Sequence, residues 1–158
     1  MPEKAFPEEA ELQRLLAAHR DQPGALLPIL HAVQEAFGYV DDAAVPIIAK
    51  ALNLSRAEVH GVLTFYHDFR RQPAGRHVLR LCQAEACQSM GCEQLAAGLR
   101  ARLGIDFGGT TPDGRLTLET VYCLGNCALS PAAMLDGRLY GRLDERRLET
   151  LLAATERL

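Results

Sequence analysis

No apolar run in this 158-residue chain approaches the roughly 20 residues that a membrane-spanning helix needs. Its first residues, Met1-Pro2-Glu3-Lys4-Ala5-Phe6, lack both the basic start and the apolar stretch of a secretory signal. The expected location is therefore the cytoplasm, with no direct membrane contact. Positive charge is not in excess either: the formal net charge is −3, which gives no general attraction to nucleic acid or to an anionic bilayer. The glycine pattern G-x-G-x-x-G, which opens a dinucleotide-binding helix, is missing. No two cysteines have the two-residue separation of a thioredoxin-type redox pair. In a reducing compartment the five cysteines argue for bound metal or free thiols rather than a disulfide frame.

What is present is a globular composition, 48% hydrophobic, in a chain long enough for one domain with a helical extension. The first seventy residues read as helices joined by short turns. Leu12, Leu15 and Leu16 have helical spacing within 8–20. From Gly24 to Gly38, Leu26, Leu27, Leu30, Val33 and Phe37 form one stripe, and Gly38 is a natural stop. Asp41 and Asp42 offer a cap for a helix bearing Val45, Ile48, Ala49 and Leu52, with Pro46 tolerable in its first turn. Ser55-Arg56-Ala57-Glu58 is a capping box that starts a helix with Val59, Val62, Leu63 and Tyr66.

Residues 43–67 also have the outline of a helix-turn-helix DNA reader. Their charge opposes that reading. Residues 1–74 hold seven Lys and Arg against ten Asp and Glu, and the second helix offers phosphate only Arg56. A helical docking module over 1–74, with no nucleic-acid partner, is the better expectation.

Arg70-Arg71-Gln72-Pro73-Ala74-Gly75 is polar and ends in breakers, so a second domain is expected over 75–158. Here the pattern turns mixed. His77–Leu81 reads as a strand, Gln88–Leu103 as a helix and Leu116–Tyr122 as a strand. Ala132–Leu135 and Arg138–Tyr140 form a hairpin turning at Asp136-Gly137, and Asp144 caps a last helix. Residues 108–114 form a turn-rich connection. The fold class is α/β: an N-terminal helical bundle followed by a domain in the thioredoxin-like order of strand, helix, strand, two strands, helix.

Cys82 and Cys87 are separated by four residues, then thirty-five intervene before Cys123 and Cys127, which are separated by three. Each pair follows an apolar strand, so two strand ends present two thiol pairs. Four converging thiolates suit structural zinc or an iron–sulfur cluster. The preferred reading is a [2Fe–2S] centre, with a zinc-stapled binding module as the alternative. Cys87 is expected at the start of a helix, where free N–H groups favour a thiolate. Gly125 and Asn126 can turn N–H groups toward sulfur, and Ala84, Ala86 and Ala128 let the backbone come close. Cys92 falls in line with Leu95, Ala96, Leu99 and Leu103 and reads as a buried core thiol. His60 and His67 are expected to share a helix face as packing or surface residues.

The cysteine frame, with Thr110-Thr111-Pro112-Asp113-Gly114-Arg115-Leu116-Thr117-Leu118 running into Val121-Tyr122-Cys123-Leu124-Gly125-Asn126-Cys127, resembles the thioredoxin-like [2Fe–2S] subunit of respiratory NADH dehydrogenase, the 24 kDa subunit family. The likeness extends upstream through residues 27–40 and 58–66 and covers the chain from about residue 12 onward. Residues 65–70 and 76–91 are most similar to the gamma subunit of soluble NAD-dependent formate dehydrogenase. The resemblance implies Cys82, Cys87, Cys123 and Cys127 as cluster ligands, Cys92 outside the set, and no catalytic residue in this chain. It further implies a non-catalytic electron-transfer subunit beside an FMN- and NAD-binding diaphorase partner, with a formate-oxidising molybdenum or tungsten subunit feeding electrons in. FMN, NAD and the molybdenum or tungsten cofactor would then lie on partners only. The equivalent subunit of NADH-quinone oxidoreductase or of an NAD-reducing hydrogenase is the nearest alternative.

Overall fold

A computed structural model of the protein describes residues 8–156, so the reading of Met1–Phe6 falls outside the described residues. These residues group into two compact units that divide between Pro73 and Ala74.

In the first unit, α1 (Glu9–His19) buries Leu12 and Leu16, and α2 (Leu26–Phe37) buries Ile29, Leu30 and Val33. Gly38 ends α2 in the left-handed conformation, with its N–H donating to the Gln34 carbonyl. Asp41 caps a 3-10 turn, Asp42–Ala44, by accepting from the Ala43 N–H at 2.8 Å. α3 (Val45–Leu52) follows with Pro46 in its first turn, and left-handed Asn53 closes it. The expected capping box is formed at the start of α4 (Arg56–Phe65): the Glu58 N–H donates to Ser55 Oγ, and the Ser55 N–H to the Glu58 carboxylate. These stripes meet in one core of Leu12, Leu16, Ile29, Leu30, Val33, Ile48, Val59 and their neighbours. Two expectations need correction. α4 ends at Phe65, so Tyr66 is its half-exposed C-cap and His67 lies beyond it, sharing no helix face with His60.

The second unit holds a four-stranded sheet in the order β2-β1-β3-β4. Central β1 (His77–Cys82) pairs in parallel with β2 (Leu116–Val121) and antiparallel with β3 (Ala133–Leu135), which pairs antiparallel with β4 (Arg138–Tyr140). Asp136 and Gly137 take positive φ in the tight turn between β3 and β4. Leu79, Leu81, Leu116, Leu118 and Ala133 form a core with Leu95 and Leu99 of α6 (Cys92–Leu103) and Leu148 and Leu152 of α7 (Glu145–Thr155). The outer edge of β2 is covered: the Gly108 and Thr111 N–H groups donate to the Leu118 and Leu116 carbonyls, so the expected loop doubles back along the strand.

The single helix expected over 88–103 is two helices. α5 (Glu85–Ser89) stops at Met90, and left-handed Gly91 redirects the chain into α6.

Candidate metal centre

Cys82 is the last residue of β1, opposite Val121 at the end of β2. This parallel register brings the loop after β2, which carries Cys123 and Cys127, alongside the loop after β1, which carries Cys87. Cys123 itself has φ 93, Gly125 has φ 75, and Cys127 opens a 3-10 turn, Cys127–Leu129. The tight backbone turns N–H groups inward, and that of Gly125 donates to Cys123 Sγ at 3.4 Å.

All five cysteines are free thiols. Cys82 and Cys87 are each 2% exposed, whereas Cys123 and Cys127 are exposed. Burial opposes ionisation of Cys82, but donation from the Ala84 N–H, the Cys87 thiol and the Cys123 and Leu124 N–H groups outweighs it and holds the thiol below its usual range. Donors from both loops therefore reach one sulfur. Cys87 behaves oppositely to expectation: it lies inside the first turn of α5 with its own N–H bonded to the Ala84 carbonyl, and burial together with the Cys82 sulfur pushes its thiol up to about 11. The adjoining Cys123 sulfur pushes Cys127 up as well.

The Cys123 and Cys127 sulfurs are 3.6 Å apart. Two sulfurs on one tetrahedral metal with bonds of about 2.3 Å lie about 3.8 Å apart, so this pair already has the bite for one metal ion. Among the described residues no three His, Cys, Asp or Glu side chains are grouped closely enough to hold a single ion. Two dithiol pairs on adjacent loops suit a two-iron core with a pair on each iron. The donor set thus fits a [2Fe–2S] cluster. Cys92 is fully buried and packs with Cys82, Cys87 and Ala132 behind this site, where burial first, then the Cys82 sulfur and Glu93, push its thiol up.

One contributor escaped the sequence. Gly141 follows β4, and a Cβ there would fall 2.7 Å from the Leu129 carbonyl oxygen and 2.7 Å from Asn126 Nδ2, so only glycine lets this chain pass the turn that carries Cys127. The Arg142 N–H donates to the same Leu129 carbonyl, and the Leu143 N–H to that of Pro131. No sequence signal short of the tertiary fold marks that contact.

Residues 12–156 match the family model for thioredoxin-like [2Fe–2S] ferredoxin. The chain is 37% identical over 147 residues to a subunit of the NADH-quinone oxidoreductase of Pseudomonas aeruginosa, covering 93% of this chain and 89% of that one. It is 31% identical over 143 residues to the HndA subunit of the NADP-reducing hydrogenase of Solidesulfovibrio fructosivorans, covering 90% and 84% respectively. Among solved structures, an air-oxidised NAD+-reducing [NiFe]-hydrogenase superposes with a TM-score of 0.71 at 29% identity over 87% of this chain, which spans 23% of that hydrogenase chain.

Proposed function

The chain belongs to the thioredoxin-like [2Fe–2S] ferredoxin family, and from that premise we propose that it is the non-catalytic one-electron carrier of an NAD-linked oxidoreductase assembly, with Cys82, Cys87, Cys123 and Cys127 holding a single [2Fe–2S] cluster. The observation that carries this reading is the convergence of two thiol pairs, one buried and one exposed, at the ends of a parallel strand pair. The cluster supplies reversible one-electron chemistry. The chain supplies the rest. Ala84, Cys123 and Leu124 direct N–H groups at Cys82, and Gly125 directs one at Cys123, which offsets thiolate charge. The buried Cys82–Cys87 side excludes solvent, and the exposed Cys123–Cys127 side gives electrons a way in and out.

A partner subunit would hold FMN and NAD and carry out hydride transfer, with the helical unit as the docking element and the whole assembly in the cytoplasm. Among the described residues no helix is long and apolar enough to cross a membrane. The finer assignment is the gamma subunit of NAD-dependent formate dehydrogenase, supported by the likeness of residues 65–70 and 76–91. The relatives above support the equivalent place in NADH-quinone oxidoreductase or a hydrogenase.

The deciding measurement is iron, acid-labile sulfide and zinc per chain on anaerobically purified protein, with electron paramagnetic resonance after dithionite. About two iron and two sulfide with a signal from one unpaired spin is the expected result. One zinc without sulfide, persisting after attempted reconstitution, would overturn it. Affinity capture of the native assembly then separates the parents: molybdenum or tungsten with formate-dependent NAD reduction, nickel with hydrogen uptake, or quinone reduction.

A further inference from the structure

The two thiol pairs differ in a way that electron carriage does not require. Cys82 and Cys87 are sealed at 2% exposure each, while Cys123 and Cys127 are open to solvent with sulfurs 3.6 Å apart. A disulfide needs about 2.05 Å, so the exposed sulfurs must close by about 1.5 Å. The loop between them is short and has a glycine at φ 75, and one partner, Cys127, begins a single 3-10 turn rather than a long helix. The approach needs only side-chain rotation and a small adjustment of a surface loop. The thiols of the buried pair also touch one another, but at 2% exposure they are shielded from an oxidant in solution.

We propose that Cys123 and Cys127 form an intramolecular disulfide when the chain is exposed to a peroxide before its cluster is inserted, and that this disulfide blocks insertion until a thiol reductant reopens it. One thiolate attacks a peroxide oxygen, giving a sulfenic acid and releasing water. The second sulfur then displaces the hydroxyl as a further water, so two thiols and one peroxide give one disulfide and two waters. The exposed pair is the side from which a cluster must enter, so oxidising it closes the site while leaving Cys82, Cys87 and Cys92 reduced. The disulfide stands on the two sulfurs alone, and only its effect on insertion rests on the cluster reading above.

The test uses the full chain, stripped of metal under reducing conditions and treated with one equivalent of hydrogen peroxide. Expected are a fall from five free thiols to three, a mass lower by two hydrogens, and a digest linking Cys123 to Cys127. Cys123→Ser and Cys127→Ser each abolish the link, and Cys92→Ser, with its native-like fold checked by circular dichroism, retains it. Oxidised chain supplied with ferrous iron and sulfide takes up no cluster until dithiothreitol is added, whereas reduced chain takes it up directly. A link between Cys82 and Cys87, covalent dimers, or oxygen addition without a disulfide overturns the inference. Cluster uptake by the oxidised chain overturns the block. Reduced chain that forms the disulfide on oxidation yet never takes up a cluster sinks the electron-carrier reading and leaves the disulfide standing.

Discussion

Side by side, the five cysteines show how environment divides one residue type into separate tasks. Cys92 has no solvent exposure and sits behind the site among Cys82, Cys87 and Ala132. Cys92→Ala should leave the cluster's paramagnetic spectrum unchanged while costing about 1 kcal/mol in denaturant unfolding, the scale of a small core cavity. A changed spectrum would make Cys92 a ligand. Cys123→Ala or Cys127→Ala should instead abolish the intact cluster, read as iron and sulfide per chain, with little loss of secondary structure because both side chains are exposed. The two strand ends and the loops that carry the four cysteines were legible in the sequence because strand ends and loop lengths are local quantities. The state of each thiol was not, and Cys87 shows why: burial in the folded chain and the Cys82 sulfur raise it, while donation from the Ala132 N–H, far downstream in sequence, works against them.

Capping and turn chemistry decide the elements. Asp144 accepts from the Arg147 N–H at 2.7 Å at the head of α7, and Asp144→Ala should cost about 1 kcal/mol in thermal or denaturant unfolding. Asp113 accepts from Thr111 Oγ1 and from the Arg115 N–H and guanidinium, in that order of effect, which holds its carboxyl down at about 2. A depressed carboxyl stabilises the fold fully above its ordinary value of 3.8 and loses that contribution as pH falls through about 2. Asp113→Asn should therefore flatten the acid limb of a melting-temperature profile between those values, and an unaltered limb would assign the loss to other groups. Gly141→Ala drives a methyl into the Leu129 carbonyl. It should destabilise the protein by about 1–3 kcal/mol and reduce iron content together with it. The capping box, the Asp144 cap, Gly38 and the Asp136-Gly137 turn were readable because their partners lie within four residues, whereas Asp41 caps the 3-10 turn before α3 rather than α3 itself. The break at Gly91 was not, since a glycine inside a helical pattern suits either a helix interior or the left-handed turn that it takes here at φ 85.

Among the described residues the helical unit has a core of helices alone, and the second unit has a core of sheet and helix with a smaller cluster of Cys82, Cys87, Cys92 and Ala132 beside it. Stripping iron with a chelator should therefore speed hydrogen exchange around residues 82–92 and 121–131 while leaving α2, α3 and α4 unchanged; faster exchange in those helices would mean the units share one cooperative unit. The helical half was nearly complete in the sequence because its stripes repeat every turn. The sheet order was harder, since β1 lies between a partner 39 residues downstream in parallel register and another 54 downstream in antiparallel register. That register has a consequence in time. Cys87 is synthesised forty residues before Cys127, and at about 5–20 residues per second the interval is about 2–8 s. Throughout it the nascent chain carries half of the four-cysteine site proposed above, and β2 has yet to emerge fully and align with β1. Delivery of a cluster must wait for translation to pass the second pair, so the order of events on the ribosome is written into the pairing of two strands.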